Sequence, residues 1–174
     1  AVLTGADIAI ITACLGGGTG TGAAPEIAAI SKSLGILTIP VVTIPFKFEG
    51  KKRKIQAEEG LKKVTENADS IIIISNERLL ENTDQNVGLY EAFAMVDDVA
   101  KDAVLAITTL IIQTGVINVD LEDIKSILKN AGCAMIGIGY GLGENRALDA
   151  AKQSITSPLL EVNSIKGASR MLVR

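Results

Sequence analysis

Over the first 75 residues, apolar positions come in short unbroken runs rich in isoleucine and valine, separated by stretches where they recur at helical spacing. Asp7 to Cys14 (DIAIITAC), Ile36 to Ile44 and Ile71 to Ile74 have the β-branched composition of strands buried on both faces. Between them, Pro25 to Leu34, closed by Gly35, and Lys51 to Asn67, with Ile55, Leu61 and Val64 toward the sheet, have the pattern of helices. Strand and helix in alternation predict a parallel α/β sheet. Pro40 interrupts the second strand; a residue that cannot donate to the ladder predicts an edge or a bulge there.

From Leu89 the period changes. Leu89, Phe93, Val96, Ala100, Ala103, Ile107 and Leu110 recur at spacings of three and four, which predicts one helix of about 33 Å. Apolar residues over so much of its surface predict burial between two packed units. Beyond Gln113 the pattern predicts a loop, a helix from Leu121 to Asn130, a strand from Cys133 to Tyr140, a helix from Glu144 to Ser154 and a last strand over Lys166 to Arg174. Asp120 is placed to cap the first of these helices and Gly132 to end it. No internal repeat, low-complexity tract or linker is present.

A chain of 174 residues that is 48% hydrophobic can bury a sizeable core, as one domain or two small ones. A net charge of −3 argues against non-specific nucleic-acid binding, and no nucleic-acid partner is expected. No apolar run approaches the roughly 18 residues of a membrane-crossing helix and no signal peptide is present, so direct membrane insertion is not expected. Cys14 and Cys133 lie in strand-like runs of a chain without histidine and are expected to be reduced core residues, with no metal site.

The candidate chemistry begins at Gly16, Gly17, Gly18, Thr19, Gly20, Thr21 and Gly22, between the first strand and a helix. Glycines there let the backbone approach a ligand, and a helix N-terminus offers unpaired N–H groups to an anion. Thr19 and Thr21 add hydroxyl donors. The run reads as a phosphate loop, though no Gly-Lys-Ser/Thr follows it as in P-loop NTPases. A dinucleotide fingerprint fits only in the register from Gly17, and no acidic residue stands about 20 positions on, where Val41 to Thr43 lie. Asp120 and Asp123, three apart at a helix start, are either a cap and a dipole-compatible acid or a pair that orients a water molecule or holds a cation. Glu49, Lys51, Lys52, Arg53 and Lys54 are a solvated charge run, or cations kept at a helix start for a ligand. Asn76 follows the third strand at the carboxyl edge where open α/β sheets bind ligands.

GGGTGTGAAP resembles the signature loop of the tubulin and FtsZ superfamily. PFKFEGKKR, AEEG, SNERLL, EAF, GVINVDLEDI, GIG, GENRA and SPLLE continue, in order, a resemblance to bacterial-type members of the FtsZ family almost to the chain's end. The resemblance implies an α/β fold of the tubulin/FtsZ type. Residues 1–112 would be the later part of a parallel-sheet GTP-binding domain with its long central helix. Residues 113–174 would be the catalytic loop and the start of a second, α+β domain. Beginning at Ala1, the chain is expected to be a fragment that lacks a further upstream glycine-rich loop and several strands.

The same resemblance implies a GTPase that polymerises head to tail into filaments of the division ring, in the cytoplasm or a plastid stroma. Its partners would be itself and membrane-tethering proteins. Gly16 to Gly22 would hold the phosphates, Glu49 the ribose, and Arg53 the phosphates or ribose. Asn76, Phe93 and Asp98 would hold the guanine, with a magnesium ion shielding the phosphates. Asn118, Asp120 and Asp123 would act on the nucleotide of the next subunit, Asn118 positioning loop and water and the two acids promoting attack. Gln113-Thr114 where a proline usually precedes Gly115, Leu121 for a common phenylalanine and Ile44 for a common lysine depart from the family pattern; none removes a catalytic group. The rivals are a non-hydrolysing tubulin-like filament protein and a dinucleotide oxidoreductase.

Overall fold

Four parallel strands, β1 (Ile8–Cys14), β2 (Leu37–Ile44), β3 (Ser70–Ser75) and β4 (Gly132–Ala134), lie side by side in that order in a computed structural model that describes residues 2–81, 87–112, 120–155 and 167–173. The helices are α1 (Thr19–Ser33), α2 (Lys51–Asn67), α3 (Asn76–Glu81), α4 (Leu89–Ile112), α5 (Leu121–Leu128) and α6 (Arg146–Ile155). Side chains alternate across the sheet, as strand geometry requires. Ile39, Val41, Ile72 and Ile74 join Ala92, Val96, Ala103 and Ile107 of α4 on one face. Val42 and Ile71 join Ala24 and Ala28 of α1 and Ala57 and Val64 of α2 on the other. With both faces covered, continuous apolar strands are the expected composition.

Pro40 is neither at an edge nor in a bulge. β2 pairs with β1 without interruption from Ile8 opposite Leu37 to Cys14 opposite Thr43, and with β3 from Val41 onward. N–H groups alternate sides along a strand, and that of Thr38 points toward β3, so the nitrogen of Pro40 points there too, one residue before that ladder starts. Below Pro40 a side chain replaces the ladder. The buried Asp69 carboxylate accepts from the Thr38 N–H at 3.0 Å, and the Asp69 N–H donates to the Thr38 carbonyl at 3.0 Å.

Other expectations also change. α1 starts at Thr19, inside the glycine run, and Pro25 lies buried within it instead of opening it. On α2 the buried residues are Ala57, Gly60 and Val64, whereas Ile55 is 55% exposed. Gly60 costs a helix interior about 1 kcal/mol relative to alanine, so its place there needs a packing reason. The long helix α4 has 24 residues, two more than the pattern predicted, and buries one stripe against the sheet while Leu89, Leu105 and Ile112 stay exposed. Cys14 and Cys133 are not in a disulfide and are exposed instead of in the core. α5 ends at Leu128, with the left-handed turn at Asn130 (φ 52°) in place of Gly132, which instead opens β4. The strand expected over residues 133–140 is short and pairs with β3, and 167–173 form neither helix nor strand.

Replacing Asp69 with alanine leaves the buried Thr38 N–H without its acceptor. The variant is expected to lose about 1–3 kcal/mol of stability. A lower urea midpoint with an unchanged slope is the measurement that checks it.

Candidate functional site

The carboxyl ends of β1, β2 and β3 come out on one edge of the sheet, where three separate segments meet. The first is the glycine run. The Leu15 N–H still donates to the Thr43 carbonyl at 2.9 Å, and the chain then turns through Gly16 at φ 101°. A Cβ at Gly16 would stand 2.9 Å from the Arg53 carbonyl oxygen, and one at Gly20 would overlap that of Cys14. Both positions therefore need glycine. Gly17, Gly18 and Gly22 have open space where a side chain would be. α1 begins here with Gly18 at its cap position, no side-chain cap and no acidic residue in its first turn. A 15-residue helix thus presents its first N–H groups and the positive end of its dipole uncovered.

The second segment is the turn after β2. Glu49 accepts from the Phe46 N–H at 2.9 Å with one oxygen and from Arg53 Nη1 at 2.6 Å with the other. Its carboxylate holds the turn and the guanidinium together, beside Gly16. Phe46, buried, stacks on Phe48 with centroids 4.8 Å apart and takes the edge of Phe93 at 5.3 Å. In this way the structure brings Phe93 of α4 to the same turn.

Asn76 is the third, at the first position of α3, a short helix not expected from the pattern. It is buried, and its Oδ1 has no hydrogen-bond partner among the described residues. A buried acceptor without a donor is costly in an empty site, and a ligand N–H relieves it.

Asp98 is not brought to Phe93. Five residues along a helix is a rotation of about 140°, which turns Asp98 away from the sheet. Asp97, also exposed, stands four residues on, about 40° from Phe93 and on its side of α4. Counting by four from the aromatic residue would have selected it.

The acids at the start of α5 lie elsewhere. Asp120 caps the helix, its Oδ1 accepting from the Asp123 N–H at 2.7 Å, and Asp123 is exposed. Lys125 of the same helix pairs with Asp7 at 3.0 Å, immediately before β1. The glycine run leaves the far end of β1. Seven strand residues separate the two, about 20 Å. Asn118, the remaining catalytic candidate, lies outside the described residues. Among the described residues no group of three or more acids and cysteines could hold a metal ion, and no helix is long and apolar enough to cross a membrane.

Lys47 and Glu77 tie the turn to α3. The Lys47 N–H donates to Glu77 at 2.9 Å, and its ammonium lies 3.2 Å from Glu77 and 3.3 Å from Glu81. Hydrogen bonding to Glu77 and then Glu81 raises the Lys47 pKa. The Lys47 N–H holds the Glu77 carboxyl below its ordinary value of 4.5, burial opposes it, and the ammonium adds to the lowering. A depressed carboxyl stabilises the fold above its unfolded value and loses that effect as pH falls through the folded one. The stability deficit of Glu77→Gln at neutral pH is therefore expected to shrink below about pH 4.5. Urea midpoints of both proteins between pH 3 and 7 check this; a deficit constant across that range would contradict it.

Comparison with known proteins agrees with this arrangement. Residues 1–84 match the Tubulin/FtsZ family, GTPase domain, and residues 132–174 the FtsZ family, C-terminal domain. Cell division protein FtsZ of Wigglesworthia glossinidia brevipalpis is 49% identical over 172 residues, 99% of this chain and 45% of that protein. The chain thus spans about half the length of such relatives. A solved structure titled FtsZ dimer, empty, from M. jannaschii superposes with a TM-score of 0.85 at 45% identity, covering 91% of this chain and 46% of that one. CetZ from Methanosaeta thermophila, at 23% identity, shares the fold with a TM-score of 0.68, over 86% of this chain and 42% of its own. Sheet order, glycine loop and both matched stretches agree: the chain belongs to the FtsZ family of tubulin-like proteins.

Proposed function

We propose that this chain is the nucleotide-holding half of a GTPase that assembles head to tail into division-ring filaments and hydrolyses GTP between subunits. The observation that carries the reading is the uncapped N-terminus of α1, opened by Gly17 and Gly18 at the carboxyl edge of a parallel sheet. That edge takes a nucleotide. The N–H groups of Gly17 to Thr21 bind phosphate oxygens and Arg53 adds positive charge. Glu49 places Arg53 and faces the ribose, while Asn76, Phe93 and an acid of α4 hold guanine. Asp97 fits that last role better than Asp98 by helical position.

Hydrolysis is attack by water on the terminal phosphate, in which positioning and electrostatics carry the catalysis. Asp120 and Asp123 orient and polarise that water, with Asn118 positioning loop and water. Lys125 fastens their helix at the entering end of β1, about a strand's length of 20 Å from where the glycine loop of the same chain leaves it, which supports action on a neighbour's phosphate. Magnesium typically keeps several waters and binds through one or two carboxylates and the substrate phosphates, so it would arrive on the nucleotide. On this reading residues 1–112 are the GTP-binding part and 113–174 the catalytic loop and the start of the second domain. Action at the division site, in cytoplasm or stroma, requires tethering proteins.

In the full-length protein, Asp123→Ala is expected to lower hydrolysis by at least about 10²-fold while GTP affinity changes little. Gly18→Asp, which puts a carboxylate where the phosphate binds without the clash any side chain meets at Gly20, is expected to abolish binding. Mixing the two proteins, each shown by sedimentation to enter filaments, should restore part of the activity, because one of the two junctions joins an intact loop to intact acids. Specific activity that stays flat across the assembly threshold would mean that each subunit hydrolyses alone.

A further inference from the structure

We propose that Thr21 and Gly60 form a brace that sets the shape of the glycine loop, which makes Gly60, a residue of α2 that lines one cavity with Gly17, Gly18 and Thr21, a positioning residue. The inference rests on the phosphate-loop reading of Gly16 to Gly22. Thr21 uses both branches of its side chain inside the protein. Its Oγ1 accepts from the Gly16 N–H at 2.9 Å, closing the turn from β1 into α1. Its methyl points at Gly60, where an added Cβ would lie 2.5 Å from Cγ2 and 3.6 Å from Cα and Cβ of Thr21. Gly60 is buried in the middle of α2, where alanine would suit the helix better.

The two contacts are coupled through one torsion. A larger residue at Gly60 collides with the Thr21 methyl, and rotation of Thr21 about χ1 to another staggered position is the local movement that relieves the contact. That rotation withdraws Oγ1 from the Gly16 N–H. Gly16 stands at φ 101° beside the Arg53 carbonyl, and Thr21 Oγ1 is the acceptor of its N–H there. The loop loses its closing hydrogen bond, and the remaining N–H groups lose their common direction. Gly60 therefore governs anion binding through Thr21.

The test uses the full-length protein and two readouts, GTP affinity and exchange of the Gly16 amide by NMR without nucleotide. Gly60→Ala is expected to weaken GTP binding about tenfold or more and to deprotect Gly16, whereas in a Thr21→Ser background, which removes the methyl and keeps the oxygen, the same change costs less than about twofold. Thr21→Val, which keeps the shape and removes the acceptor, should deprotect Gly16 with Gly60 intact. Equal losses from Gly60→Ala in both backgrounds would overturn the brace. So would a lowered urea midpoint with Gly16 still protected, since Gly60 would then serve packing alone. Unsubstituted protein that binds no guanine nucleotide would remove the GTP reading instead, and Gly16 exchange alone would then decide the brace.

Discussion

Parallel pairing of β1, β2 and β3 is the constraint on which the rest depends. Because the strands run the same way, the segments that leave them emerge together, and the segments that enter them lie a strand's length away. The glycine run, the Phe46 to Glu49 turn and Asn76 are far apart in the chain, yet share an edge for that reason alone. The same rule keeps α5 from its own chain's loop, since Lys125 fastens it to Asp7 at the entering end of β1. Arg170 adds to this by donating to the carbonyls of Ser126, Ile127 and Lys129, at the other end of α5.

What could be read directly from the sequence was whatever depends on neighbours in the chain. The β-branched runs, the bounds of α2, the Asp120 cap and the glycine run followed by a helix are local features, and their residues state them plainly. What could not be read depends on a partner elsewhere. Pro40 is tolerated in a central strand because Asp69 takes the place of the ladder just below it. α1 starts six residues before Pro25, with Gly18 already in helical geometry, and the proline lies buried inside the helix. The exposure of Cys14 and Cys133 reflects which strand edges are covered, which no single residue reveals.

The candidate site shows the same division. Residue types flagged the phosphate loop and the acids, but spacing left Asp120 and Asp123 open between capping and chemistry, and the structure shows that Asp120 does cap. A resemblance supplied Asp98, where helical phase favours Asp97. Gly60 ends the AEEG segment and stands inside a helical pattern that disfavours glycine, but the residues around it do not state why, because its reason is a methyl group on another helix.

The clasp between Thr38 and Asp69 makes one end of the sheet softer than the other. Above Pro40 the seam between β2 and β3 is continuous main-chain pairing up to the ligand edge; below it, one carboxylate and one N–H bridge the gap. Local opening is easiest where few hydrogen bonds must break together, so excursions begin at the entering end. That end also carries β4, whose Gly132 N–H donates to the Asp69 carbonyl, and α5 through Asp7. Opening of that seam would carry β4 with β3 and leave α5 with β1, which stays paired to β2 along its whole length, so the two attachments respond separately while the ligand edge keeps the glycine loop in register.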